Sequence, residues 1–212
     1  MDSLLPILRI FLALALAFAV VGLAHMLRKV RSFGKRELFA EANGTEIDGI
    51  RYALGAGMMP WAKESARAHP ATYVAGVIYH CGIFAAFLIL VLSFLQVEPT
   101  GSRLLVVLMS LGLIAGLGLL IKRMITPSLS AISVPDDLVA NLLVNLYVAS
   151  GIAYLINVSW LPLFYLVSIL LLIYIPIGKI RHCALFFVTR LIFGRYFGRR
   201  GVYPAASAKI KA

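Results

Sequence analysis

The sequence predicts an all-α, polytopic membrane bundle of five transmembrane helices, with the N-terminus outside and the C-terminus in the cytoplasm. Three observations lead there. Hydrophobic residues make up 61% of the 212 and charged ones only 14%, whereas a soluble globule carries roughly a quarter charged residues. The apolar residues fall into five stretches, each long enough for a bilayer core of about 30 Å, which takes roughly 20 residues of helix. The basic residues, which give a formal net charge of +11, gather between and after those stretches. In a soluble chain such a charge would suggest nucleic acid. Here it reads as contact with the membrane surface, and no nucleic-acid partner is expected.

The first stretch, near 4–24, is too long for a secretory signal and has no basic segment ahead of it; Arg28, Lys29 and Arg31 follow it. It reads as a retained span. A polar loop over 26–71 leads to the second stretch, near 73–95. Glu98, Pro99, Gly101 and Ser102 break the chain before the third, near 104–121. Two prolines and two aspartates between Lys122 and Asp137 set off the fourth, near 138–158. A tight Ser159-Trp160-Leu161-Pro162 turn, its tryptophan suited to a membrane interface, opens the fifth, near 162–187. A tail, 188–212, completes what reads as one domain over 1–212.

Orientation follows from the cations. The 26–71 loop holds Arg28, Lys29, Arg31, Lys35, Arg36, Arg51, Lys63 and Arg67; Lys122 and Arg123 follow the third span. The tail adds Arg190, Arg195, Arg199, Arg200, Lys209 and Lys211, while the opposite side has only Arg9 and Arg103. Positive residues stay on the cytoplasmic side, so the loop and the tail are expected there. Arg9 reads as a side chain snorkelling to the outer interface. The segment from Ala184 to Arg195 mixes apolar and basic residues and is expected to extend the fifth span and then lie along the interface.

Few residues carry chemistry. Cys81 and Cys183 make no Cys-x-x-Cys spacing, which argues against structural zinc and covalent haem attachment. No nucleotide loop of the G-x-x-x-x-G-K-[ST] type occurs. His25 and His69 fall in the polar loop region and read as solvated. His80 lies about two helical turns inside the second span, and His182 near the inner end of the fifth, so both fall in the cytoplasmic half of the bilayer. Gly76 and Gly178 each stand four residues before one of these histidines. On a helix such positions share a face, and a glycine there leaves room for a flat porphyrin. Two such helices would hold one haem b between His80 and His182, as axial imidazoles above and below the iron. Lys179, Arg181 and Arg190 would face its propionates. The plainer reading is that small residues four apart pack membrane helices and that each histidine bonds across to a neighbour. Gly112-Leu113-Ile114-Ala115-Gly116 reads as packing of this kind.

The stretch Gly57-Met58-Met59-Pro60-Trp61, leading to Val77-Ile78-Tyr79-His80-Cys81-Gly82-Ile83, resembles the start of the second span in the cytochrome b (gamma) subunit of respiratory nitrate reductase. It is closer still to related membrane subunits of complexes associated with dissimilatory sulfite reductase and heterodisulfide reductase. Ile132-Ser133-Val134-Pro135-Asp136-Asp137 and Pro176-Ile177-Gly178-Lys179-Ile180-Arg181-His182 are similar too, and the likeness runs from roughly Gly57 to Gly201. It implies a five-helix subunit in a prokaryotic cytoplasmic (inner) membrane, passing electrons between a quinone, expected to be menaquinone, and a cytoplasmic iron–sulfur oxidoreductase partner. No stand-alone catalysis is implied. The nitrate reductase subunit has two histidines on each of these two helices, whereas this chain has one on each. The resemblance therefore carries over a single inner haem, at His80 and His182, and no quinone-site residues.

Two other classes of function stand beside this one. A cofactor-free anchor would only tether a partner enzyme. A small transporter is less favoured, since no acidic residue falls inside the expected spans and no inverted repeat is apparent.

Overall fold

The computed structural model describes residues 4–34, 39 and 41–204; Lys35, Arg36, Lys209 and Lys211 of the orientation argument lie outside them. The regular elements among the described residues are all helical: α1 (Leu4–Ser32), α2 (Glu46–Leu54), α3 (Glu64–Ala68), α4 (Pro70–Phe94), α5 (Arg103–Ile125), α6 (Pro127–Ala131), α7 (Pro135–Ile156), α8 (Leu161–Ile177) and α9 (His182–Arg199). Short 3-10 turns stand at Ala56–Met58, Pro60–Ala62, Val158–Trp160 and Lys179–Arg181. Five helices are long and apolar enough to cross a membrane: α1, α4, α5, α7, and α8 with its leading turn, Val158–Ile177. Their outer faces leave Phe11, Leu14, Phe84, Leu111 and Ile114 exposed, the pattern of helices solvated by lipid rather than by water. The chain is a multi-pass membrane protein.

Helix ends follow from local chemistry. Proline stands in the first turn of α6, α7 and α8, where its missing N–H is no loss and its φ is already helical. At α7 the Asp137 carboxylate also accepts the Val134 N–H, at 3.0 Å. Asn157 ends α7, and its side chain accepts the Ser159 N–H at 2.9 Å, shaping the turn into α8.

The described chain gathers into two compact units. The first holds the start of α1, up to Leu23, together with Ala71–Arg181. Its core is aromatic. Tyr147 and Tyr154 both stack on Phe164, with centroids 5.5 and 5.8 Å apart, and all three are buried with Ile89, Met109 and Tyr165. Glycines set the close approaches. A Cβ on Gly82 of α4 would lie 2.8 Å from the Cα of Gly112 on α5, and one on Gly22 of α1 would lie 2.7 Å from the Pro176 ring on α8. The Gly112–Gly116 stretch thus packs helices, as expected.

The second unit holds Ala24–Pro70 and the chain from His182 onward. Here α2 lies on α9 with backbone against backbone. A Cβ on Gly198 would sit 2.5 Å from the Thr45 carbonyl and 2.7 Å from the Gly49 Cα, and one on Gly194 would sit 2.6 Å from the Ile50 Cα. The end of α9 is satisfied from both sides. Asn43 and Gly44 donate their N–H groups to the Arg199 carbonyl at 2.9 and 3.0 Å, and Val202 N–H bonds the Phe197 carbonyl at 2.9 Å. Gly201, at φ +70°, supplies the left-handed residue that such a helix stop needs.

Two expected boundaries differ. The first helix runs past 24 to Ser32, and the 26–71 segment contains α2 and α3. The fifth span ends at Ile177 instead of reaching 187. Pro176 brings no N–H to the last turn of α8. Gly178 then leaves the helix with extended backbone (φ −91°, ψ −168°), its N–H closing on the Tyr174 carbonyl at 2.8 Å.

Candidate functional site

Helix α4 places His80 on an exposed face, one turn beyond Gly76 and one turn before Phe84. The His80 Nδ1 lies 2.7 Å from the Gly76 carbonyl oxygen. A carbonyl only accepts, so Nδ1 donates, and in the neutral ring the lone pair is then on Nε2. The carbonyl has two lone pairs, so it takes this bond without giving up its place in the helix. Tyr79 and Phe84 flank the imidazole, each with a centroid 6.3 Å away. A Cβ built on Gly76 meets nothing within 4 Å.

This hydrogen bond is one that metal-binding histidines share with others. A metal-binding histidine almost always donates its second nitrogen to a carbonyl or carboxylate, which sets the tautomer and raises the basicity of the ligating nitrogen. Gly76 provides that carbonyl, and its missing side chain leaves the adjoining surface clear.

The other half of the expected site is built differently. Gly178 and His182 do not share a helical face. Gly178 lies in the extended break after α8, and His182 is the first residue of α9. The place of a Gly178 side chain is taken by the ring of Tyr174, so this glycine makes room for a tyrosine rather than for a porphyrin. His80 belongs to the first compact unit and His182, also exposed, to the second. His25 stands on the extension of α1 rather than in a loop, and His69 lies exposed between α3 and α4.

Lys179, expected to face propionates, is engaged elsewhere. Its Nζ lies 2.7 Å from Asp137 Oδ2, and Asp137 Oδ1 lies 3.5 Å from Arg123 Nη1. Arg123 also donates to Ser133 Oγ at 3.2 Å, and the Tyr174 hydroxyl donates to the Asp136 carboxylate. The segments 132–137 and 176–182, singled out separately in the sequence, thus meet in one polar cluster that ties the start of α7 to the end of α8. Sequence reasoning missed Tyr174, whose signal was its position four residues before Gly178.

No protein-family model, curated protein or solved structure matches the chain.

Proposed function

We propose that this protein is a membrane electron-transfer subunit of cytochrome b type. It would link a membrane quinone, menaquinone in the first instance, to a cytoplasmic iron–sulfur oxidoreductase in a prokaryotic cytoplasmic membrane, with its N-terminus outside. The observation that carries the reading is the His80–Gly76 pair, an imidazole on a membrane span whose Nδ1 proton is held by a carbonyl 2.7 Å away. An ionisable side chain at membrane depth is costly and functional by default.

Bound haem b supplies one-electron exchange through its iron. The chain supplies the rest. Gly76 holds the Nδ1 proton and with it the orientation of the ring. Exposed Val77, Phe84 and Leu88 lie on the same face of α4 and would keep water from Nε2, which lowers the local dielectric and tunes the potential. His182 is the second ligand candidate, on the strength of the sequence and its resemblance.

The test is a reduced-minus-oxidised visible spectrum of the purified protein, with haem quantified per chain. One b-type haem is expected, lost or made high-spin in His80→Ala and in His182→Ala. Loss in His80→Ala alone keeps the α4 ligand and transfers the second role to another residue, with His25 and His69 next in line. An unchanged spectrum in both variants overturns the pair. A colourless, iron-free preparation that still recruits its partner supports the cofactor-free tether instead.

A further inference from the structure

The end of the first unit where α1 and α8 begin carries a polar cluster in an otherwise apolar bundle. Tyr154 of α7 and Tyr165 of α8 are buried there. A bond from the Gly101 N–H to the Leu155 carbonyl, at 3.1 Å, draws the 95–102 loop onto the end of α7. Arg9 of α1, Glu98 of that loop and the Tyr165 hydroxyl all lie close enough to Tyr154 for their charges to act on its hydroxyl. Arg9 is half-buried, since Leu5, Leu8 and Leu12 on either side of it in the sequence pack into the core. Further along the same two helices, from Phe11 on α1 and from Ile169 one turn after Tyr165, an apolar groove of about 300 Å³ runs between Phe11, Leu14, Ala15, Phe18, Ile169 and Ile173.

Two atoms of the cluster, the Arg9 Nε and the Tyr165 hydroxyl oxygen, are buried with no hydrogen-bond partner. Buried donors are costly to leave unpaired. Arg9 makes no ion pair with a described carboxylate, Glu98 included. A cation and an anion thus share one corner of the bundle without closing on each other. A headgroup that carries both signs of charge engages both. Phosphate oxygens suit a guanidinium fork beside a phenol, and an ammonium suits the exposed Glu98 carboxylate. The groove completes the match to an amphiphile, because its walls are apolar side chains and Phe11 and Phe18 are exposed along it.

We propose that Arg9, Tyr165 and Glu98 form a headgroup site for a zwitterionic phospholipid with a primary ammonium, of the phosphatidylethanolamine type, whose acyl chain lies along the Phe11–Ile173 groove. Arg9 and the Tyr165 hydroxyl hold phosphate oxygens, and Glu98 accepts from the ammonium. Charge complementarity selects this lipid: an anionic headgroup leaves Glu98 unmatched, and a choline headgroup has no N–H to give it. The site is independent of the haem reading, and its test does not involve haem.

The experiment uses the full-length protein in detergent. Native mass spectrometry counts adducts with phosphatidylethanolamine, phosphatidylglycerol and phosphatidylcholine of the same acyl chains. Wild-type protein should retain phosphatidylethanolamine about threefold over each of the others, the worth of one exposed charge pair. Arg9→Gln should weaken retention of every lipid about tenfold, because each has lost a charge-assisted hydrogen bond to its phosphate. Glu98→Gln should erase the preference without weakening the other two lipids, a change of selectivity that a merely structural role would not produce. Arg103→Gln should change nothing, since this exposed cation at the start of α5 is not among the charges acting on Tyr154. Equal retention of the three lipids by the wild type overturns the proposal, and so does a preference for phosphatidylglycerol. A preference that survives Glu98→Gln, or an Arg103→Gln loss equal to that of Arg9→Gln, overturns it as well. The wild-type arms decide even if a variant fails to fold.

Discussion

The Lys179 ammonium lies 2.7 Å from the Asp137 carboxylate, so the residue that follows the break after α8 is tied to the first turn of α7. The partners differ in exposure, with 45% of the Lys179 side chain accessible and 13% of Asp137. Asp137 also pairs with Arg123 and accepts the Val134 N–H. Removing Asp137 therefore strips several groups of a partner, while the Lys179 end of the ion pair is partly solvated. Asp137→Ala should cost about 2–3 kcal/mol and Lys179→Ala about 1 kcal/mol or less. Thermal unfolding midpoints in detergent should rank wild type, Lys179→Ala and Asp137→Ala in that order; equal losses would refute this division of roles.

The glycines of the second unit should tolerate nothing larger. Gly198→Ala and Gly49→Ala drive a methyl into backbone that cannot rotate away, and overpacking of this kind costs about 1–3 kcal/mol. Limited proteolysis should then cut within 41–54 or 194–204 before it cuts in the five spans.

Gly76 should behave in the opposite way. Its Cβ position is open, so Gly76→Ala should leave stability unchanged or raise it by about 0.5–1 kcal/mol through better helix propensity. Gly76→Leu should keep the fold and lower haem content, because the added side chain stands beside His80. Haem content unaffected by leucine would remove Gly76 from the site.

Lys63 should titrate early. A lysine whose pKa is lowered in the folded state binds fewer protons there than in the unfolded chain, so its contribution to stability rises as pH climbs from the folded value towards the ordinary value of 10.5. Amine acetylation followed by peptide mapping should show Lys63 reacting at lower pH than exposed lysines. Arg190→Gln should return only part of the shift, since burial is the larger cause.

The spans were legible because lipid imposes one demand, a long apolar run, that composition displays directly. The end of the fifth was not. Pro176 and Gly178 mark a stop, but the apolar run resumes at Ala184-Leu185-Phe186-Phe187-Val188 and hydropathy carries the span past the break. At Gly178 the shared-face argument fails, because the helix breaks there and a tyrosine one turn earlier fills the gap. The pairing of α2 with α9 left only the Gly194–Gly198 interval as a trace: glycines meet through backbone and offer no side chains to read. Lys63 and Arg190 were legible as cations but not as neighbours, since they merge into the positive-inside bias that explains most of the other basic residues.

The α2–α9 seam also dictates an order of biosynthesis. The stretch carrying Gly49 leaves the ribosome before four of the spans and before its counterpart with Gly194 and Gly198. Throughout that interval α2 has the backbone face that meets α9 uncovered. Translation stalled before α9 would therefore leave α2 without the surface it packs on.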